Sequence, residues 1–190
     1  MHDILIQTLN HVVSLEPGEI EFLKSIFKEV CFKKGDYFLK AGDINNQLGF
    51  VQKGLIRYFV YKNEEESTLE FSKEGEFVAE YQSLVQKTQS IQSIQAIEDT
   101  TMLVMTSDDL QNLYCNTKNG DKIGRIVIEH RFNVLVTQLM SIYMHNSDQR
   151  YLHFLKTYPE IVQRIPQYYI ASYVGVKPQS LSRIRKRFIQ

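Results

Sequence analysis

The sequence lacks the features of a membrane-spanning or secreted protein. No apolar run approaches the roughly 18 residues that cross a bilayer. The amino-terminal stretch carries Asp3 early and has no basic start of the kind that opens a signal peptide. Cys31 and Cys115 are isolated and match neither a CxxC motif nor a disulfide framework. We therefore expect a protein of the reducing cytoplasm that has no membrane partner.

Catalytic and metal-binding motifs are lacking as well. The chain contains no P-loop, no GxSxG and no HExxH. The adjacent acids Asp108 and Asp109 fit the first turn of a helix, where carboxylates interact favourably with the dipole. Two cysteines are too few for a four-cysteine iron–sulfur cluster, and the histidines are scattered without ligand spacing: His2, His11, His130, His145 and His153. We predict neither an enzyme nor a bound metal or cofactor.

Charge is balanced in number but not in position. The chain has 22 basic and 22 acidic residues, and Glu160 is the last acid. Residues 1–160 therefore carry a net charge of −6, whereas residues 161–190 contain six basic residues and no carboxylate. Such segregation favours two modules, the second of which meets an anionic partner.

The middle of the chain has the composition of an antiparallel β module. Residues 30–105 are rich in Phe, Tyr, Val and Ile, and are punctuated by Gly35, Gly42, Gly49, Gly54 and Gly75. Strand-like runs lie between these turns, at residues 37–43, 48–54, 55–71 and 91–106. Many short strands with frequent glycines indicate a sandwich or barrel. A helical pattern at residues 17–27 precedes the module, and Thr106 or Ser107 is placed to cap a helix after it.

A long helix is predicted next. Residues 119–145 contain no proline and keep a helical period over about 40 Å. Five apolar residues recur there at spacings of four and three: Ile128, Phe132, Leu135, Leu139 and Ile142. This is the spacing of a two-heptad coiled-coil seam. The helix is either buried within its own chain or, as we expect of a seam joining two domains, paired with its twin across a two-fold axis in a homodimer.

The last 26 residues have the spacing of a helix-turn-helix. A short helix is predicted at residues 167–174 and a second from Pro178 to about Phe188. The apolar residues between them suit a shared core: Ile170, Ala171, Val174, Val176, Leu181 and Ile184. Ala171 must be small where the second helix crosses, and Gly175 must permit a positive φ at the turn.

The second of these helices is predicted to present a basic face to solvent. Four side chains near its start point away from the apolar core and suit base contacts in a major groove: Lys177, Gln179, Ser180 and Arg183. The following Arg185, Lys186 and Arg187 suit phosphate contacts. A carboxylate here would be repelled by the phosphates of a duplex, which accounts for their absence. We predict double-stranded DNA as the partner; the plainer alternative is a solvated basic helix end.

In this order, a glycine-punctuated β module, a long helix and a terminal helix-turn-helix resemble the cAMP receptor protein/FNR (Crp/Fnr) family of bacterial transcription regulators. Four segments carry the resemblance: FKKGDYFLKAGD (residues 32–43), GLIRYFVY (54–61), GEFVAEYQSL (75–84) and VGVKPQSLSRIRKRF (174–188). The resemblance implies an α+β fold: an antiparallel β-roll (a cyclic-nucleotide-binding-like jelly roll) with flanking helices, a long dimerisation helix and a winged-type helix-turn-helix. The implied domains are residues 1–118, 119–145 and 146–190.

The segment that binds the cyclic phosphate in cAMP-binding members of that family is altered in this sequence. Their Gly-Glu pair is replaced by Ala79-Glu80, of which Glu80 could still bond a ribose hydroxyl. Their Arg-Ser or Arg-Thr pair falls at Ser90-Ile91, so a cyclic phosphate would lose its paired cation. Lys87 or Arg57 could substitute from nearby. We expect that cAMP is not the effector, which leaves another small molecule or none.

These observations favour a homodimeric, sequence-specific transcription regulator. Its two recognition helices would enter successive major grooves of a near-palindromic operator, with half-sites about 34 Å apart. The resemblance also allows RNA polymerase as a partner. The alternative is a cyclic-nucleotide or other small-ligand sensor module whose basic end has no DNA-binding role.

Overall fold

The computed structural model of the chain describes residues 2–188. Met1, Ile189 and Gln190, which end two of the predicted domains, lie outside the described residues. The chain divides into two compact units: residues 1–58 with 71–130, and residues 59–70 with 131–190. The predicted three-part division into domains stays a prediction, since compactness alone does not test it. Within residues 2–188 no helix combines the length and apolar composition that a membrane span requires.

The predicted order of a β module, a long helix and a terminal helix-turn-helix is found. The helices are α1 (Asp3–Asn10), α2 (Pro17–Ile26), α3 (Tyr81–Gln86), α4 (Ser107–Asn116), α5 (Gly120–Met144), α6 (Ser147–Thr157), α7 (Gln167–Val174) and α8 (Pro178–Phe188). The strands are β1 (Lys28–Phe32), β2 (Tyr37–Leu39), β3 (Gln47–Lys53), β4 (Ile56–Lys62), β5 (Glu65–Ser72), β6 (Phe77–Val78), β7 (Gln92–Ala96) and β8 (Thr100–Thr106). The predicted α+β class is confirmed.

The strands form two four-stranded sheets, in the orders β1-β8-β3-β6 and β2-β7-β4-β5. The pairs β1–β8, β3–β8, β3–β6 and β2–β7 are antiparallel, as the sequence predicts. Alternate side chains of these strands point inward and pack as two clusters. One cluster joins β3 and β8 to α1, α2 and α4, with Leu5, Leu23 and Phe50 fully buried.

Short polar motifs set the helix ends of the first unit. Thr106 caps α4 by accepting a hydrogen bond from the backbone N–H of Asp109, whose carboxylate accepts the N–H of Thr106 in return. This reciprocal pair confirms Thr106 as the cap. Helix α1 has no such signal, because His2 precedes it without a side-chain cap bond, and the sequence pattern does not predict it.

The second unit contains a β-hairpin tip and the carboxyl-terminal helices. Asn63 and Glu64 connect β4 to β5 with φ of 52° and 64°, a two-residue turn in the left-handed region. Helices α7 and α8 have the predicted bounds. The predicted winged type stays a prediction: residues 145–188 contain helices and turns but no strand, and residues 189–190 lie outside the described residues. The wing followed from the resemblance alone, and no alternating strand pattern in these residues supports it.

Candidate functional site

Helices α7 and α8 form the predicted helix-turn-helix. Gly175 ends α7 with φ +74° and ψ +38°, the left-handed conformation that glycine adopts at least cost. The chain then reverses, and the N–H of Val176 bonds back to the carbonyl of Ala171 over 2.9 Å. Ala171 is 1% exposed, as a crossing point requires. Five of the six predicted core residues are buried: Ile170, Ala171, Val174, Leu181 and Ile184. The sixth, Val176 in the turn, is only partly buried.

Helix α8 is divided into an apolar and a basic face. Leu181 and Ile184 are at most 3% exposed and anchor it to the unit. The residues predicted to contact DNA lie on its accessible side: Lys177, Gln179, Arg183, Lys186 and Arg187 are exposed, and Ser180 and Arg185 are partly exposed. The structure thus brings the predicted set together on α8 and on Lys177, the residue that precedes it, although their roles toward DNA stay predictions.

Arg150 fixes the turn of this motif, a role the sequence did not reveal. Its Nε donates to the carbonyl of Val174 over 2.7 Å, and its Nη1 donates to the carbonyl of His145 over 2.9 Å. These carbonyls lie at the ends of α7 and α5, where intrahelical donors run out. A cation there also complements the negative end of each helix dipole. Arg150 is therefore a positioning residue for the helix-turn-helix.

Helix α7 also contacts the hairpin tip of the same unit. The hydroxyl of Ser172 meets the backbone of β5 at Glu66 and Thr68. Nearby, Arg131 of α5 forms a two-pronged ion pair with Glu70, whose side chain is 5% exposed. Burial and the negative charge of Glu70 raise the pKa of the Tyr173 phenol to about 12. These contacts join residues more than 60 positions apart, and no local pattern signals them.

Glu80, one of the predicted effector residues of the first unit, makes structural contacts. Glu80 caps α3: its carboxylate accepts the N–H groups of Gln82 and Ser83 over 3.2 and 2.7 Å. The hydroxyl of Ser83 accepts the N–H of Asn45 and donates to the carbonyl of Thr88. Glu80 thus keeps the position that its sequence motif suggests, but both carboxylate oxygens already have donors.

The other four predicted pocket residues differ in burial and in hydrogen bonding. Lys87, with φ +55°, donates to Asn46 over 3.0 Å and to Ser107 over 2.8 Å. Ser90 bonds the backbone of Gln92 and is 4% exposed, whereas Ile91 is 82% exposed. Arg57 is fully buried in β4. Their roles toward a ligand stay predictions.

The predicted dimer seam is exposed. Phe132, Leu135, Leu139 and Ile142, all in the second unit, are between 52% and 65% exposed. Ile128, one turn earlier in the first unit, is 38% exposed. Three further exposed apolar residues were not predicted: Met140, Tyr143 and Met144. A helix with so many accessible large apolar side chains is not a helix buried within its own chain, so that alternative is wrong for this face.

Two of the scattered histidines come together. The rings of His145 and His153 lie 6.0 Å apart between centroids. Burial lowers the pKa of His153, and the charges of His145 and Lys156 lower it further. Throughout residues 2–188, however, no group of three His, Cys, Asp or Glu side chains is placed to hold a metal ion.

The chain is similar to a known protein family and to several solved structures. Residues 29–116 match the family model described as "Cyclic nucleotide-binding domain". No curated protein matches the chain. Among solved structures, the c-di-GMP-responsive global regulator CLP of Xanthomonas campestris is 15% identical, with 91% of each chain covered and a TM-score of 0.74.

Two further structures share the fold over most of the chain. The catabolite activator protein of Thermus thermophilus is 20% identical, with 96% of this chain and 86% of its own covered and a TM-score of 0.60. A protein of Eubacterium rectale, described as a regulator of the Crp/Fnr family, is 16% identical, with 92% and 83% covered and a TM-score of 0.68. These likenesses confirm the resemblance to Crp/Fnr regulators at the level of the fold.

Proposed function

We propose that this chain, which has the fold of Crp/Fnr transcription regulators, is itself a sequence-specific DNA-binding regulator. The observation that carries the proposal is helix α8. It is buried along Leu181 and Ile184 and exposes basic and amide side chains along the opposite face. A helix presented in this way fits a major groove, where its first residues meet base edges.

The exposed residues of α8 divide into two roles. Lys177, Gln179, Ser180 and Arg183 occupy the first turns and supply base contacts; a guanidinium at Arg183 suits guanine, and the amide of Gln179 suits adenine. Arg185, Lys186 and Arg187 lie in the last turn and supply phosphate contacts, which add affinity without sequence information.

The regulator acts as a homodimer through the exposed seam of α5. The repeated spacing of four and three over residues 128–142 suits knobs-into-holes packing against an identical helix. Two-fold symmetry would place two α8 helices on one side of a duplex. The operator is therefore a near-palindrome with half-sites about 34 Å apart.

cAMP does not control this regulator. A cyclic phosphate in the β-roll needs a cation and free donors, but the hydroxyl of Ser90 already donates to the carbonyl of Gln92. The carboxylate of Glu80, which would have to accept a ribose hydroxyl, already caps α3. Lys87, the nearest substitute in the sequence, holds Asn46 and Ser107. Pairing a phosphate with Lys87 would break these two bonds, and Ser90-Ile91 supplies no cation in the place of the family's Arg.

The DNA-binding proposal is tested by selecting fragments of genomic DNA with the purified chain and measuring affinity by fluorescence anisotropy. We expect a recovered near-palindrome. Affinity for random duplex should fall about 10³-fold or more between about 50 and 200 mM salt, because several phosphate contacts release counterions. Absence of binding to every duplex in dilute buffer would exclude the function.

The sensor-module alternative is favoured by the family match over residues 29–116 and is tested separately. Calorimetric titration with cAMP should give no saturable heat at micromolar concentrations. Saturable heat, together with absence of DNA binding, would support the sensor module instead.

A further inference from the structure

An ion pair joins the first and last helices of the carboxyl-terminal group. Nη2 of Arg187 donates to Oδ1 of Asp148 over 2.6 Å. Arg187 lies in the last turn of α8, and Asp148 lies in the first turn of α6, which Asn146 caps. The two side chains are 59% and 32% exposed, so the pair faces water. One of the cations predicted to meet phosphate is therefore already bound to a carboxylate.

The pair borders a crevice between the start of α6 and the basic face of α8. The crevice has a volume of about 510 Å³ and is lined by Ser147, Ser180, Arg183, Ile184, Lys186 and Arg187. Hydroxyl, guanidinium and ammonium groups are the side-chain donors that bind phosphate oxygens. Its chemistry suits a phosphodiester of the DNA backbone, and a role for the ion pair in DNA binding rests on the proposed function.

We propose that Asp148 restrains DNA binding by acting as an internal substitute for phosphate on Arg187. The carboxylate offers Arg187 the same kind of charge-assisted hydrogen bond that a phosphate oxygen would offer. An exposed ion pair of this kind is weak and is further screened by salt. Phosphate can therefore displace Asp148, but only by competing for the guanidinium.

Displacement does not remove the negative charge of Asp148. When Arg187 turns to DNA, the freed carboxylate stays beside the crevice, where the duplex brings further negative charge. Asp148 thus cancels about one of the cations that would otherwise release a counterion on binding. This lowers affinity for all sequences alike, which limits retention on non-specific DNA.

The position of Asp148 also explains how a carboxylate persists in a basic region. In the first turn of α6 its charge is stabilised by the positive end of the helix dipole. The same position also suits a purely structural role for Asp148. The test separates the two roles: loss of a structural residue would weaken DNA binding, whereas loss of a restraint strengthens it.

The test compares Asp148→Asn with the wild-type chain on random duplex at several salt concentrations. We expect the dissociation constant to fall about tenfold at low salt, and the plot of log affinity against log salt to steepen by about 0.9 per protomer. In the Arg187→Ala background the same substitution should raise affinity by a smaller factor, since competition for the guanidinium is then gone and only the charge of Asp148 beside the duplex remains. Asp148→Ser, which also suits a first helical turn, serves as the second variant if Asp148→Asn folds poorly.

Asp121→Asn provides the matched control, because Asp121 is an exposed acid in the first turn of α5; it should leave both affinity and slope unchanged. If the wild-type chain binds DNA and both Asp148 variants bind it equally well or more weakly, the restraint is overturned and the proposed function is left intact. Absence of binding by the wild-type chain and all variants would remove both.

Discussion

The hydroxyl of Ser172 accepts a 2.8 Å hydrogen bond from the backbone N–H of Thr68. It also donates a 2.8 Å bond to the carbonyl of Glu66, so one side chain on α7 satisfies a donor and an acceptor of β5. Strand β5 is at the edge of its sheet, where such groups would otherwise be open to another strand. Ser172 therefore occupies the place of a neighbouring strand and fixes the hairpin tip to the helix-turn-helix.

Replacing Ser172 by Ala removes both of these bonds. We expect the free energy of unfolding to fall by about 1–2 kcal/mol, because a backbone donor and acceptor lose their shared partner. Denaturant titration followed by circular dichroism measures it. Ser182→Ala, on the exposed side of α8, is the control and should change stability by less than about 0.5 kcal/mol. Equal effects of the two substitutions would show that the Ser172 bonds contribute nothing.

Gly175→Ala tests the turn of the helix-turn-helix. A Cβ at this position would lie 3.6 Å from Nη2 of Arg150, an ordinary contact, so the cost comes from the φ of +74°. We expect a loss of about 1–2 kcal/mol in unfolding free energy and a smaller loss for Gly175→Asn, since Asn tolerates this conformation. Gly18→Ala, with open space around the new methyl group, should be neutral or stabilising.

Glu19 makes the first unit sensitive to acid. Its carboxylate accepts the N–H of Glu16 and both the backbone and side-chain N–H of Asn119, over 2.8–3.0 Å. Burial raises the pKa of Glu19, but these hydrogen bonds outweigh burial and hold it below the ordinary value of 4.5. A lowered folded-state pKa contributes stability above 4.5 that is lost as pH falls through the folded value.

Glu19→Gln should therefore be less stable than the wild-type chain at pH 7, and the difference should shrink as pH falls below 4.5. Denaturant midpoints measured between pH 7 and pH 3 test this. Asn119→Ala removes one of the three bonds to Glu19. It should reduce the pH dependence of the denaturant midpoint, but by less than Glu19→Gln does. A difference that stays constant with pH would show that ionisation of Glu19 does not contribute.

The sequence predicts the helix-turn-helix well because that motif is local. The bounds of α7 and α8, the buried Ala171 and the positive φ of Gly175 all follow from spacing within about 20 residues. The strands follow from their composition and from the glycines between them. Each of these features depends on neighbours in the chain, which a periodic pattern can report.

The sequence does not predict the contacts that hold the motif in place. Arg150 lies 24 residues from Val174, and Ser172 lies more than 100 from Glu66. The pairing of Asp148 with Arg187 is equally non-local. The neighbours of Arg150 and Ser172 in the sequence do not differ from those of an Arg or Ser that makes no such contact. Only the folded chain shows which side chains make these bonds. The effector segment is similar: the motif gives the place of Glu80 but not its use as a cap.

The dimer seam is tested by the double variant Leu135→Glu/Leu139→Glu. Both side chains are more than half exposed in the single chain and would become buried on pairing. We expect the dimer dissociation constant to rise by about 10²- to 10⁴-fold, since two leucines contribute about 1.5–3 kcal/mol each. Sedimentation equilibrium measures it, with Asn133→Glu, off the seam on the same helix, as control. A monomeric wild-type chain at micromolar concentration would contradict the seam.

Arg183 and Arg185 provide a matched pair on α8 that separates base recognition from phosphate binding. Arg183→Ala should weaken a selected operator by about 1–3 kcal/mol more than it weakens random duplex, because a two-pronged contact to guanine is lost only where that base is present. Arg185→Ala should weaken both by similar factors and lower the salt slope by about one per protomer. Anisotropy titrations compare the two duplexes at each of several salt concentrations, so that electrostatic losses cancel between duplexes at a given salt and the slope is also measured. If Arg183→Ala also reduced both affinities equally, this residue would belong with the phosphate contacts, and base recognition would have to come from Lys177, Gln179 and Ser180.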